Sequence, residues 1–496
     1  MSSSDASSHR FNTRITMILS VLGIAIGTGN IWRFPRIVAQ NSGDDGGGSF
    51  LIAWICFLFL WSIPLIVSEY AMGKFGRKGV VGAFNKTAGA SFNWMGGFVV
   101  VVTTAIMFYY SVVVGWCFHY LIVAVTGQPV TDPESAKMLW ESFQSGFNPA
   151  LIHIFVMALG CWIVIKGIKS IEKANTFLIP ALLVIVLIAL VRAVTLPNAL
   201  EGISFLFTPD WSLLKDPKIW LEALTQNAWD TGAGWGLVLT YAAYMRTSDS
   251  VITSAVQTGI GNNIVSILAA IIIFSTVFGS LSGQMESAEI VSIMQDSGPA
   301  STGLTFIWMP VLFQSMPFGG ILATLFFLGL SFAAFSSLLS MIEMSSRVLI
   351  DHGISRKKAT LFVSGLSIIF GIPSATNLTF FVNQDFVWGL GLIISGAFVA
   401  FAVSSFGAKK LLDEVRPEED EPGLFYKYWP FMIRFVVPAQ AILLLGWWLY
   451  RTVFEFAGDE WLNPLNPFSL ATCLVQWAIA FAVLLYYNKK LYPAKV

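Results

Sequence analysis

Long apolar runs separated by short polar loops set the pattern of this chain. A bilayer core of about 30 Å is crossed by roughly 20 apolar residues in a helix. By that ruler there are twelve candidate spans, near residues 15–40, 47–72, 95–126, 150–167, 174–195, 218–245, 251–280, 319–350, 358–373, 385–408, 429–453 and 467–488. The stretch 301–318 is apolar but short and contains Pro310 and Pro317, so a re-entrant or surface loop helix is expected there.

The loops sort by charge. Arg10 and Arg14, then Lys74, Arg77, Lys78 and Lys86, then Lys166, Lys169 and Lys173, then Arg246, Arg356, Lys357 and Lys358, and finally Lys409 and Lys410 fall at alternate ends of the spans. The opposite loops carry Asp132, Glu134, Glu141, Glu201, Asp210, Asp216, Glu286, Glu289, Asp296, Asp459 and Glu460. The positive-inside rule makes the first set cytoplasmic, which puts both termini inside and requires an even number of spans.

Composition points the same way. The chain of 496 residues is 55% hydrophobic and only 12% charged, with a mean hydropathy of +0.71. Soluble domains average roughly 25% charged residues, so a soluble enzyme is excluded and lipid is the expected solvent. Twenty-nine basic residues balance 29 acidic ones, which leaves no long-range field to attract nucleic acid. Cys56, Cys117, Cys161 and Cys473 sit inside apolar runs without disulfide or zinc spacing and read as apolar filler. The opening MSSSDASSHR is polar, and the apolar run from about Ile15 lacks a short hydrophobic core with a small-residue cleavage site; no signal peptide is expected.

Two spans are interrupted by glycine. Span 1 contains GIAIGTGNIW, with Gly23, Gly27 and Gly29, and span 6 contains WDTGAGWG, with Gly232, Gly234 and Gly236. Either cluster alone could reflect close helix packing through small residues. As a pair at matching positions they point to a transport site, because unwound backbone at membrane depth is tolerated only where it lines a cavity. The interruptions are five spans apart, an odd number, so span 1 starts inside and span 6 outside, and the halves are inverted repeats. The fold class expected is an all-α membrane protein of twelve helices, a 5+5 inverted repeat with broken helices 1 and 6, plus two C-terminal helices. Its divisions are a cytoplasmic segment 1–14, a first repeat 15–195, an extracellular loop 196–217, a second repeat 218–408, a cytoplasmic linker 409–428, helices 11 and 12 over 429–488, and a tail 489–496.

Gly27-Thr28-Gly29-Asn30-Ile31-Trp32-Arg33-Phe34-Pro35, then Gly46-Gly47-Gly48-Ser49-Phe50, Ile63-Pro64-Leu65 with Glu69, and Ala333-Ala334-Phe335-Ser336-Ser337 with Glu343, resemble the neurotransmitter:sodium symporter family over nearly the whole chain. The nearest likeness is to its bacterial, leucine-transporter-like members. The resemblance implies sodium-driven uptake of an amino acid or related amine by alternating access, in the plasma (inner) membrane.

It also implies sites. One sodium ion would be held by the carbonyls of Gly23, Ile26 and Ala333 with the hydroxyls of Ser336 and Ser337. The other would use the Ala25 carbonyl, Asn30, Asn262 and Asp230. A lone membrane serine more often bonds back to its own helix. A substrate carboxylate would meet the amides of Thr28 and Gly29 and the hydroxyl of Tyr110, beside Ala25 and Ser337. Ile106, Trp229, Trp235 and Met341 would form the apolar side, with Gly232 leaving room. Monoamine transporters of the family place Asp where Gly27 stands, so a neutral, apolar or aromatic amino acid is expected. Small omega-amino acids or taurine are the alternative.

Arg33 with Asp385, at the start of span 10, resembles an outer ion pair, and Trp229 with Tyr110 an aromatic lid. Tyr244, Asp351 and an N-terminal arginine would close the inner path. The family's inner arginine falls on Ser8 and its tryptophan on Phe11, so Arg10 is the expected substitute. Glu69 and Glu343 are intramembrane acids, either functional or helix-bridging, and His119 and His153 are expected to have no role. The family has Thr or Ser at position 230. Ser266 replaces a bacterial glutamate and Trp54 a chloride-binding tyrosine. Asp230, with Gln226 and Asn262 as donors, is therefore expected to supply the counter-charge, and chloride is not expected to be required. The rival reading, a ligand sensor that kept the fold, would be expected to carry an added signalling domain. No enzyme-like nucleophile and base pair stands out.

Overall fold

The structure is a computed structural model that describes residues 10–128, 130–298, 300, 302–314, 316–418 and 423–492. Among the described residues, eight helices are singly long and apolar enough to cross a membrane: Gly48–Gly76, Ala90–Thr126, Ile168–Val194, Val251–Leu281, Gly319–Asp351, Arg356–Thr376, Leu378–Phe406 and Leu424–Phe456. These are spans 2, 3, 5, 7, 8, 9, 10 and 11. Span 1 is the bent pair Arg14–Ala25 and Gly29–Gln40, with 54° between its halves. Span 6 is Pro217–Asp230 followed, after a glycine-rich break, by Leu237–Ala242. Spans 4 (Asn148–Val164) and 12 (Leu470–Tyr486) are shorter apolar helices of 17 residues. The all-α expectation of twelve spans with two broken ones holds.

Burial separates a core from a lipid-facing ring. The most apolar window of span 2 is 72% buried and that of span 10 also 72%, whereas those of spans 5 and 11 are 28% buried. Phe177, Val184 and Leu187 on span 5 and Ile442 and Leu443 on span 11 are exposed, as a helix at a lipid boundary requires. Most residues beside the breaks of spans 1 and 6, among them Gly23, Ile24, Ala25, Asn30, Ala228 and Asp230, are buried, so both broken helices are surrounded by protein.

Two boundaries differ from the sequence pattern. Span 10 starts at Leu378, capped by Asn377, whose side chain accepts the Phe380 N–H at 2.9 Å. Asp385 is therefore about two turns inside the helix and not at its start. Span 5 starts at Ile168, which takes Lys169, Glu172 and Lys173 into the helix. The basic loop after span 2 also contains a helix, Val80–Ala88, where only a loop was expected. The 301–318 stretch forms a short helical segment, Gly303–Gln314. Its Phe306 is fully buried and packs edge-on to Trp32 at 5.6 Å and beside Tyr120 at 4.8 Å.

Candidate functional site

Both breaks have local causes. In span 1 the last regular bond of the first half is Ile26 N–H to the Leu22 carbonyl, 2.7 Å. Gly27 N–H then turns to the Asn30 side-chain oxygen at 2.9 Å, so Asn30 secures the freed backbone at the start of the second half. In span 6, Gly234 has φ +87 and its α-carbon faces span 10 so closely that an added Cβ would lie 2.9 Å from Gly396 Cα. Only glycine combines that left-handed backbone with that approach.

The two breaks open on one cavity of about 320 Å³, within the size range of small-molecule sites. All the residues expected at the substrate line it: Ala25, Thr28, Gly29, Ile106, Tyr110, Trp229, Gly232, Trp235, Ser337 and Met341. Thr28 Oγ1 and Tyr110 Oη are 3.5 Å apart. A Cβ at Gly27 would touch Tyr110 Oη and Ser337 Oγ, each at 3.3 Å. The cavity extends past Arg33, Arg36 and Asp385 to Trp448 and Phe456 on span 11 and Phe468 in the loop after it.

Oxygen atoms crowd beside it at two places. Ser336 Oγ lies 2.9 Å from both the Gly23 and Ala333 carbonyl oxygens. Ser337 Oγ lies 3.2 Å from the Gly23 and Ile24 carbonyls and 3.3 Å from that of Ala333. The bonds to Ala333 are the back-bonding expected of a membrane serine, but those to Gly23 and Ile24 cross to span 1. Such a neutral cluster of carbonyls and hydroxyls suits a hard cation. Gly23 and Ala333 are thus beside Ser336 and Ser337, while the Ile26 carbonyl makes none of these contacts. At the second place, Asn30 Nδ2 reaches Asn262 Oδ1 and Ser266 Oγ, both at 2.8 Å. The Asn262 amide also abuts the carbonyl oxygens of Ala25 at 3.0 Å and Asp230 at 3.1 Å. With its amide oxygen toward those carbonyls it completes an oxygen cluster; with its nitrogen toward them it donates to both.

The Asp230 surroundings differ from expectation. Gln226 Nε2 approaches Asp230 Oδ2 at 3.4 Å, but Asn262 meets the Asp230 backbone carbonyl instead of the carboxylate. Ser266 is engaged with Asn30. Asp230 Oδ1 is buried without a hydrogen-bond partner.

The expected gates are rearranged. Among the described residues Arg33 and Asp385 form no ion pair; the Arg33 guanidinium sits 4.8 Å from the Trp229 ring centre. Trp229 packs edge-on to Trp235 at 6.3 Å, and among the described residues it makes no ring contact with Tyr110. Arg10 makes no ion pair among the described residues, and Ser8 lies outside them. Asp351 instead pairs with Arg347 at 3.1 Å and accepts the Gly79 N–H at 2.6 Å. Tyr244 Oη donates to Glu343 at 2.6 Å and accepts from Arg347 at 2.7 Å, while Arg356 pairs with Glu343 at 2.6 Å. Phe11 is buried edge-on to Tyr241 at 5.9 Å. Sequence reasoning missed Arg347 and Arg356; the i, i+4 spacing of Arg347 and Asp351 was the available signal. Glu69 bridges spans 2 and 6 through backbone amides.

Comparisons with known proteins agree with this architecture. The sequence profile of the Sodium:neurotransmitter symporter family matches residues 8–144 and 144–489. An uncharacterised sodium-dependent transporter of Methanocaldococcus jannaschii is 32% identical over 472 residues, covering 90% of this chain and 94% of the relative. The uncharacterised sodium-dependent transporter YhdH of Bacillus subtilis is 28% identical, covering 87% of this chain and 96% of the relative. The crystal structure of MhsT in complex with L-phenylalanine superposes with a TM-score of 0.77 at 28% identity, covering 88% of this chain and 99% of that one. With its two broken spans meeting at one cavity, the chain belongs to the sodium:neurotransmitter symporter family, as a multi-pass sodium-dependent symporter and not an enzyme.

Proposed function

We propose that this symporter imports a neutral amino acid with an apolar or aromatic side chain, coupled to two sodium ions and independent of chloride. The observation that carries the substrate class is Gly27. An acidic side chain there would point at Tyr110 Oη and Ser337 Oγ, 3.3 Å from its Cβ, and would fill the space of a substrate carboxylate. Glycine leaves that space free beside the start of the second half of span 1, where backbone amides and the helix dipole favour an anion. Ile106, Trp229, Trp235 and Met341 face the same cavity and suit an apolar side chain, each buried methylene contributing about 0.8 kcal/mol. The L-phenylalanine bound in the MhsT complex is an amino acid of this class.

One sodium ion would sit among Gly23, Ala333, Ser336 and Ser337, the other among Ala25, Asn30, Asn262 and Asp230. Arg33, Asp385 and Trp229 would close the outer side. Tyr244, Asp351, Arg347, Glu343 and Arg356, linked to one another by hydrogen bonds and ion pairs, would close the cytoplasmic side. A substrate arriving from outside would thus meet an open vestibule and a sealed floor. Uptake of labelled amino acids into proteoliposomes, with and without an inward sodium gradient, is the test. Competition by omega-amino acids or taurine, with none by leucine, phenylalanine or tryptophan, would reverse the assignment.

A further inference from the structure

Span 5 carries a polar pair that the site described so far does not use. Asn175 is fully buried, and neither atom of its amide has a hydrogen-bond partner. Apart from the Gly23–Ser336 cluster, the polar group beside it is the Tyr241 hydroxyl, which interacts with it only weakly because it is paired with Ser340 Oγ at 2.8 Å. Buried amides are almost always hydrogen-bonded, so an unpaired one needs an explanation. Its place supplies one. A Cβ built on Gly23 would lie 3.3 Å from Asn175 Cγ and 3.4 Å from its Nδ2, and 3.3 Å from Ser336 Cβ. The Asn175 amide and Ser336 therefore both stand against Gly23, which puts the amide beside the Gly23–Ser336 oxygen cluster.

One turn earlier on the same face is Glu172, buried although its neighbour Lys169 is partly exposed. Its carboxylate accepts the Asn12 N–H at 2.8 Å, Asn12 Nδ2 at 3.1 Å and the Thr16 hydroxyl, and Lys169 is 3.7 Å away. Thr16, Ser20 and Gly23 follow one another at spacings of four and three along one face of span 1, and Ser20 is also fully buried. Two packed helices thus present a ladder of oxygens from the Gly23–Ser336 cluster to the basic-loop end of the bundle.

We propose that Asn175 and Glu172 form a second, transient cation position on the route by which sodium leaves the Gly23–Ser336–Ser337 site toward the basic-loop end. The inference rests on the reading of that site as a sodium site. A dehydrated sodium ion cannot cross buried protein without oxygen ligands. The Asn175 amide oxygen takes over as the serine hydroxyls release the ion, and the Glu172 carboxylate then receives it in exchange for its bonds to Asn12 and Thr16. No bond chemistry is involved, only ligand exchange. A purely space-filling Asn175 would serve equally well as leucine.

The test uses radioactive sodium with the full chain, reading equilibrium binding to purified protein and exchange across proteoliposomes supplied with mixed amino acids. Asn175→Leu should bind sodium within about twofold of wild type yet exchange it at least about fivefold more slowly, a split between affinity and rate that a lost ligand of the first site would not give. Asn175→Asp should retain the wild-type rate within about twofold, and Glu172→Gln, which preserves shape, should be slowed at least about threefold. Wild-type exchange by Asn175→Leu, or affinity and rate lost in equal proportion, overturns the proposal; if that variant does not fold, wild-type exchange by Glu172→Gln does. Ser337→Ala measured in parallel separates the two levels: unaltered sodium binding in that variant refutes the sodium-site reading itself, whatever span 5 does.

Discussion

The Glu69 carboxylate of span 2 accepts the backbone N–H of Gly234 at 2.7 Å, and with it those of Gly236 at 3.1 Å and Leu239 at 2.9 Å. Unwinding frees backbone donors, and here one buried anion satisfies three at the start of the second half of span 6, where the helix dipole also favours negative charge. Glu69→Gln keeps the shape but turns an NH2 group toward N–H donors. Losing a charged acceptor should cost ~1–3 kcal/mol, seen as a lower melting temperature in detergent together with reduced uptake. An unchanged melting curve would show that the carboxylate is not what holds the break.

Sodium dependence should respond to the two oxygen clusters separately. Ser337 Oγ lies within 3.3 Å of three carbonyl oxygens, and Asn30 touches Gly27, Asn262 and Ser266. Ser337→Ala and Asn30→Ala should each raise the half-saturating sodium concentration about tenfold or abolish uptake, a loss of ~1.4 kcal/mol or more in ion binding. Full wild-type uptake in choline buffer without sodium refutes this.

The two breaks were legible because glycine is the chemical mark of unwound backbone, whereas the cavity residues of spans 3 and 8, Ile106, Tyr110, Ser337 and Met341, came only from the family resemblance. The start of span 10 was not legible. Asn383, Gln384 and Asp385 look like a loop in sequence, but Asn383 bonds to Thr472 and the Pro467 carbonyl, and Gln384 to Gln476. Asn383 and Gln384 thus face span 12 and the loop before it, while the next residue, Asp385, lines the central cavity. Glu172 likewise lies inside the start of span 5, held by Asn12. Charge pairing was least legible: Arg347 stands one helical turn before Asp351, but Arg356 reaches back 13 residues to Glu343 across the end of span 8, and only packing shows that pair. The Glu69 bond is similarly hidden, because its partners are backbone amides with no side-chain signature.

Gly389 on span 10 seats the Trp229 indole. A Cβ there would lie 2.0 Å from Trp229 Cζ2, so Gly389→Ala must displace the ring from its stack under Arg33. Overpacking of this kind costs ~1–3 kcal/mol. The expected result is a KM for aromatic amino acids raised about fivefold or more, with Trp229→Phe partly restoring it in the double variant. A KM unchanged in Gly389→Ala would mean that Trp229 does not close over the substrate.

On the basic-loop side, Glu343 is fully buried, with Arg356 at 2.6 Å and Tyr244 at 2.6 Å. Breaking a buried pair by deleting one partner costs ~3–5 kcal/mol because the other charge stays behind. Arg356→Ala should therefore depress the melting temperature more than the double variant Arg356→Ala with Glu343→Gln, in which the stranded charge is also removed. Equal melting temperatures for the two would show that water reaches Glu343.

Asp230 decides the anion question. Its carboxylate is buried, with the Gln226 amide 3.4 Å from one oxygen, the Trp54 indole nearby and no close partner on the other oxygen, so it has acceptor capacity to offer a cation. A sodium ion and a carboxylate at ~4 Å attract by about 4 kcal/mol at an effective dielectric near 20. A fixed charge of that worth removes the need for a mobile anion. Trp54, fully buried in span 2, has no hydroxyl to hold chloride, and the Ser266 hydroxyl is already bonded to Asn30 at 2.8 Å. Uptake should therefore be equal in chloride and in gluconate. Asp230→Ser, which deletes the charge, should be inactive or become responsive to chloride. Collapse of wild-type uptake in gluconate would reject the counter-charge role, because a carboxylate that already neutralised the sodium ion would leave chloride nothing to do.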